Sequence, residues 1–97
     1  MRYDIVLAPE AVEDLNAFTA ATRAQVKSAL ETHLRYEPMK LSRSRIKRLR
    51  GVSRPQFRLR VDEIRVFYDV AGQVVEVLAI VEKAEASSWL AKFGSPE

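Results

Sequence analysis

Fourteen residues in the middle of the chain, Phe57 to Val70, alternate so strictly that only one local arrangement suits them. Phe57, Leu59 and Val61 recur at every second position up to Asp62-Glu63, and Ile64, Val66, Tyr68 and Val70 resume the pattern after it. A period of two is a strand signal. With Asp62-Glu63 as a two-residue hairpin loop, Val61 faces Ile64, Leu59 faces Val66 and Phe57 faces Tyr68, so one face is wholly apolar. On the other face Arg60 lies opposite Arg65, and Arg58 lies opposite Phe67. A slip of one residue would turn one strand over and destroy this match, so the pattern selects the register. The loop lacks the Asn-Gly or Asp-Gly pair that tight hairpins favour.

The flanking segments supply helices and further strands. Arg2 to Leu7 mixes aromatic and β-branched residues and predicts a first strand. Pro9 opens a helix with Glu10, Glu13 and Asp14 in its first turns, where the helix dipole favours acids. Val12, Leu15 and Phe18 give it an inner face. A second helix is expected from Thr22, capped by that residue with Gln25 closing a capping box. Its stripe is Val26, Ala29, Leu30 and Leu34, and Pro38 ends it. Gly72 marks a turn, and the nearly continuous apolar run Val74 to Val81 suits a strand covered on both faces, with no register legible. A last helix is expected from about Ala84, with Ala86, Trp89, Leu90 and Phe93 on one stripe and Gly94 at its end. The order is β-α-α-β-β-β-α, an α+β fold: an N-terminal strand, a helical hairpin, a three-stranded antiparallel meander and a C-terminal helix. Ninety-seven residues suit a single domain, 1–97.

Charge is distributed very unevenly over this framework. Nine of the sixteen Lys and Arg residues fall between Lys40 and Arg60, with no acid among them. The rest of the chain holds seven bases and all thirteen acids. A field this local attracts a polyanion or an acidic partner and steers its approach. Lys40, Arg43, Arg45, Lys47, Arg48, Arg50 and Arg54 form the candidate RNA- or partner-binding surface. The absence of cysteine excludes disulfide scaffolds and thiolate chemistry. The N-terminus has only four apolar residues in a row before Pro9, too few for a signal peptide or membrane span, so the expectation is a cytoplasmic protein with no membrane partner. The sole histidine, His33, borders the apolar stripe of the second helix and cannot by itself make a metal site. No metal or cofactor motif occurs.

Arg58, Arg60 and Arg65 are the chemically suggestive group. Arginines facing one another across strands disfavour the fold by about 0.2–1 kcal/mol per pair. An anion between them reverses that, because planar guanidinium donors match phosphate oxygens. Pairing with Asp69, Glu63 or Glu76 is the structural alternative. Tyr68 reads as packing, and Trp89 as core or partner groove through its helical spacing.

The short first strand, "APEAVEDL" opening a helical hairpin, "KRLRG", "FRLRVDEIRVFYDV" and "VEVLAIVEK" together resemble the RelE/ParE toxins of bacterial type II toxin–antitoxin modules, over nearly the whole chain and in the same order. The resemblance implies a RelE-like, ribosome-dependent mRNA endonuclease that needs no metal or other cofactor. Its substrate's 2′-hydroxyl attacks the adjacent phosphate while basic side chains orient and stabilise it. It further implies that Arg58, Arg60, Arg65 and, past the last strand, Lys83 carry the catalytic site, and that an acidic cognate antitoxin is a partner. Ribosome-dependent members usually have an arginine just after the last strand and a tyrosine or histidine nearer the C-terminus. Here those regions hold Ala84, then Trp89, Leu90 and Phe93, leaving proton transfer without a carrier unless Glu82 or Glu85 takes the role. The ParE-like alternative is a non-catalytic inhibitor of DNA gyrase. A third is a weak or inactive toxin fold that mainly binds its antitoxin.

Overall fold

The computed structural model describes all 97 residues. A strand β1 (Asp4–Leu7) leads into α1 (Pro9–Ala17) and α2 (Ala20–Leu34). Two short strands, β2 (Ile46–Arg48) and β3 (Val52–Arg54), lie inside the basic tract. The hairpin β4 (Phe57–Val61) and β5 (Ile64–Ala71) precedes β6 (Val74–Glu82), a 3-10 turn (Lys83–Glu85), α3 (Ala86–Phe93) and a two-residue β7 (Ser95–Pro96).

The register expected for β4 and β5 is the one observed: Phe57 pairs with Tyr68, Arg58 with Phe67, Leu59 with Val66, Arg60 with Arg65 and Val61 with Ile64. The meander is larger than expected. Its five strands run β1-β6-β5-β4-β2, with β1 parallel to β6 at one edge and β2 antiparallel to β4 at the other. Residues 46–48 of the basic tract are therefore sheet, held by Leu59, Arg58 and Phe57 opposite them. Val52 and Arg54 pair with the C-terminal Pro96 and Ser95 in a separate ribbon.

The helical hairpin covers one face of the sheet. Ala11, Leu15, Val26, Leu30 and Leu34 pack there on Phe57, Leu59, Val61, Ile64, Val66, Tyr68, Val75, Val77 and Ile80. The buried Tyr68 hydroxyl donates to the Pro38 carbonyl and ties the loop after α2 to this core. The second face carries a smaller cluster, Phe67, Ala79 and Val81, with Leu49, Ala86, Trp89 and Leu90 against it. Trp89 stacks on Phe67 with ring centroids 4.9 Å apart and planes 6° from parallel. Each apolar group is thereby withdrawn from water at a gain of about 25 cal/mol per Å².

Three local expectations are corrected. The first strand begins at Asp4, because Tyr3 turns inward and its N–H donates to the Arg35 carbonyl. The cap of α2 is Thr19, whose hydroxyl accepts from the Thr22 N–H at 3.2 Å, and Gln25 reaches Asp62 in the hairpin loop instead of closing a capping box. The last helix starts at Ala86 after a tighter turn. Gly94 does end it, through close approach: a Cβ there would stand 2.6 Å from the Leu90 carbonyl oxygen.

The register of β6 depends on a bulge. Tyr68 pairs with Val77 but Phe67 with Ala79, leaving Leu78 extra. The alternation flips at that point, so Val77 and Ile80 face the helices while Ala79 faces α3. Beyond the end of β1 the Ile80 N–H would lack a partner, and the Asp14 carboxylate of α1 accepts it at 2.9 Å.

Candidate nucleic-acid interface

Paired residues in a sheet point to the same side, so the ladder places side chains in rows. One row on the second face runs Lys47, Arg58, Phe67, Ala79. The next runs Arg60, Arg65, Val81. Arg45 extends this second row at the sheet edge: its carbonyl accepts the Arg60 N–H at 2.9 Å, and its guanidinium donates to the Arg60 carbonyl at 3.3 Å. Two like-charged pairs, Lys47 with Arg58 and Arg60 with Arg65, thus stand in neighbouring rows. No carboxylate lies within ion-pair distance of any of the four.

Burial sharpens this group. Arg58 is partly covered, and its Nε is buried without a hydrogen-bond partner. Desolvation pushes the Arg58 guanidinium below its ordinary pKa, with Arg65 and Arg60 adding charge repulsion. Arg65 is the one charged residue buried in the fold. A terminal nitrogen donates to the Asp62 carbonyl at 2.7 Å and the Ile64 carbonyl at 3.0 Å. Asp62 belongs to the hairpin turn, where it has a positive φ of 51°, and Ile64 opens the strand that follows. The turn therefore aims Arg65, while Arg60 remains exposed. Such a face is costly empty and favourable around an oxyanion, since charge-assisted bonds are about twice as strong as neutral ones.

The other candidate residues divide. Arg54 is engaged by Asp69 and Glu76, each at 2.8 Å, and Lys40 by Glu37 at 3.6 Å. Arg48 pairs with Phe57 on the helix-hairpin side, sits 5.5 Å from that ring's centroid and donates to the Gln56 carbonyl at 2.8 Å. Arg43 and Arg50 are exposed and make no ion pair. Lys83 begins the 3-10 turn, anchored by its N–H to the Glu63 carbonyl at 2.7 Å, beside the hairpin turn that holds Arg65. Glu82 pairs with Ile64 and so lies on the helix-hairpin side, away from the arginines. Glu85 is exposed in the turn before α3. Trp89 has its faces engaged by Phe67 and Phe93, which makes it packing. His33 lines a small cleft with Arg45, and burial first and Arg45 second hold its pKa below the usual value.

The position of Lys47 in the cationic rows was not apparent from the sequence, which placed it in the RNA- or partner-binding surface. Its signal is local: Ile46 joins the helix-side core, so Lys47 must face the other way once this segment is a strand. A cleft of about 700 Å³ between α1 and α3 is lined by Glu10, Glu13, Asp14 and Glu76 together with Arg54, and includes none of Arg58, Arg60 and Arg65. The acids there would repel a polyanion. No set of three or more His, Cys, Asp or Glu side chains is arranged to hold a metal, and no helix is long and apolar enough to cross a membrane.

The fold defines a class: a small α+β protein with a helical hairpin on one face of a five-stranded sheet and a C-terminal helix on the other. Solved structures of this fold match in shape. The toxin–antitoxin complex RelBE2 from Mycobacterium tuberculosis superimposes with a TM-score of 0.70 at 22% identity, covering 84% of this chain and 99% of that one. The archaeal RelE–RelB complex from Pyrococcus horikoshii gives 0.69 at 22% identity, covering 86% and 97%. A mutant of the E. coli toxin RelE in the free state, with two arginines replaced by alanine, gives 0.69 at 26% identity, covering 94% and 93%. No family model and no curated protein matches the sequence. The chain has the RelE/YoeB-type toxin fold, and the resemblance read from its motifs is borne out.

Proposed function

We propose that this chain is the toxin of a type II toxin–antitoxin module and acts as a RelE-like mRNA endonuclease in the ribosomal A site. The observation that carries the reading is the two pairs of opposed cations in neighbouring rows, Lys47 with Arg58 and Arg60 with Arg65, without an acid to neutralise them. In the reaction the 2′-oxygen attacks the adjacent phosphorus, and negative charge grows on the non-bridging oxygens of a pentavalent phosphorane. Arg58 and Arg60 supply donors to those oxygens. Arg65, aimed by the hairpin turn, holds the phosphate against the sheet, and Lys83 adds charge at the edge. Preorganised charge of this kind is worth about 10²–10³ in rate per donor. The exposed bases Arg43, Arg45 and Arg50 supply salt-dependent affinity for RNA, while Arg48 lies on the helix-hairpin side.

An acidic antitoxin is the second partner. Several similar toxins were solved with their antitoxins, among them the E. coli DinJ–YafQ and S. aureus YoeB–YefM complexes. An antitoxin bringing carboxylates to these rows would neutralise the face that RNA needs. The gyrase alternative has no observation in its favour.

Inducible expression followed by mapping of mRNA 5′ ends tests the proposal. Cleavage within translated codons, absent with Arg65→Ala and suppressed by the cognate antitoxin, is the expected result. Growth arrest with intact mRNA would refute it.

A further inference from the structure

Apart from its lysines, the cationic face has no side chain that can deliver a proton. Guanidinium groups stay protonated throughout the working range and serve as donors, not as acids. Glu82 lies on the other side of the sheet, and Trp89, Leu90 and Phe93 of α3 have no transferable proton of suitable strength. Breaking the P–O5′ bond without protonating the departing oxygen would expel a high-energy alkoxide. A proton source on this face is therefore the missing part of the chemistry.

We infer that Lys47 is the general acid of this site, protonating the 5′-oxygen that leaves when the RNA strand is cut. The inference rests on the endonuclease reading and adds a residue role to it. Its ground is placement. Lys47 stands directly opposite Arg58, on the same face and in the same row, and strand β2 has no neighbour on its outer side. The side chain is exposed and makes no ion pair, so its ammonium is free to reach a phosphate held by Arg58 and Arg60. Paired residues on adjacent strands have Cβ atoms about 4.5–5.5 Å apart, well within the reach of a lysine. A lysine ammonium differs from its guanidinium neighbours in that it can release a proton.

In the cleavage step the 2′-hydroxyl loses its proton to water, and its oxygen forms a bond to phosphorus. The P–O5′ bond breaks, its electron pair stays on O5′, and the Lys47 ammonium transfers a proton to that oxygen. The products are a 2′,3′-cyclic phosphate and a 5′-hydroxyl, and the neutral amine regains its proton from water. No oxidant, metal or further co-reactant enters.

A leaving-group test separates proton donation from binding. Single-turnover cleavage is measured on ribosomes programmed with an ordinary mRNA and with one carrying sulfur in place of the scissile 5′-oxygen, because a thiolate departs without protonation. Lys47→Arg keeps the positive charge and Lys47→Ala removes it. Both should slow the oxygen substrate by about 10²-fold or more, the range for general acids, and Lys47→Arg should cleave the sulfur substrate at the wild-type rate. Equal slowing on both substrates would make Lys47 a binding residue and overturn the inference, as would an undiminished rate on oxygen. A selective loss with Lys83→Arg and none with Lys47→Arg would overturn it in favour of Lys83. If the wild type cuts neither substrate, the endonuclease reading itself fails, and this role falls with it.

Discussion

Replacing Arg58 with methionine should make the protein more stable and less active. Arg58 keeps a buried Nε donor unpaired and faces Lys47 across the strands, and burial first, then Arg65 and Arg60, depress its pKa. An unsatisfied buried donor costs about 1–3 kcal/mol, and a like-charged cross-strand pair adds about 0.2–1 kcal/mol. Methionine keeps the length and apolar stem beside Phe67 without either penalty. Allowing for the hydration that the other guanidinium nitrogens retain, the net gain should be about 1–2 kcal/mol. For a domain of this size that is a rise in Tm of about 5–10 °C. Thermal unfolding should be followed at about 0.01 M and about 1 M salt, where the screening length falls from about 30 Å to about 3 Å. The gain should shrink at high salt, leaving the part due to the unpaired donor. Inorganic phosphate should stabilise the wild type more than Arg58→Met, because it binds the face that the substitution weakens. The rate of mRNA cleavage should fall about 10²–10³-fold. A variant less stable than wild type at low salt would refute the reasoning, since Arg58 would then be a structural residue.

Tyr68→Phe should cost about 1–2 kcal/mol at neutral pH by leaving the Pro38 carbonyl unpaired, read from denaturant unfolding. Burial raises the Tyr68 pKa, so its contribution is complete below the unfolded-state value near 10 and is lost as pH climbs above it; the variant should lose less stability than wild type in that alkaline range. Asp14→Ala should cost about 1–3 kcal/mol by stranding the Ile80 N–H, whereas Asp14→Asn, which keeps an acceptor oxygen, should recover most of it in the same measurement. Trp89→Ala should cost about 2–3 kcal/mol, below the range for fully buried aromatics because the ring is only partly covered, and hydrogen exchange should rise first across α3.

Legibility followed the strength of local patterns. The β4–β5 register was readable because both strands alternate and only one pairing puts all apolar side chains on one side. The β6 register was not, since its run is apolar at nearly every position and the bulge at Leu78 reverses the alternation midway. A bulge stabilised by a carboxylate from α1, 66 residues earlier, leaves no mark in the strand itself. Strand β2 escaped notice because three residues, two of them charged, carry no period. That omission hid the place of Lys47, which follows from Ile46 only once residues 46–48 are a strand. Arg54 reads as one more base in the tract, yet the fold gives it to Asp69 and Glu76. The grouping of Arg58, Arg60 and Arg65 was legible because it follows from the hairpin alone. The orientation of Arg65 by the Asp62 and Ile64 carbonyls was not, since it needs the backbone path at Asp62.

In the proposed reaction the opposed cations on the second face of the sheet do chemistry on RNA. The most direct measurement is cleavage of a defined mRNA on purified, programmed ribosomes by the isolated protein, compared with Arg58→Met, Arg60→Met and Arg65→Met. Each variant should remain folded by circular dichroism. Cleavage at the A-site codon by the wild type, with 2′,3′-cyclic phosphate and 5′-hydroxyl ends and losses of about 10²-fold or more in the folded variants, is the predicted result. Cleavage at the same rate with the three arginines replaced, or none by the wild type, would contradict the account.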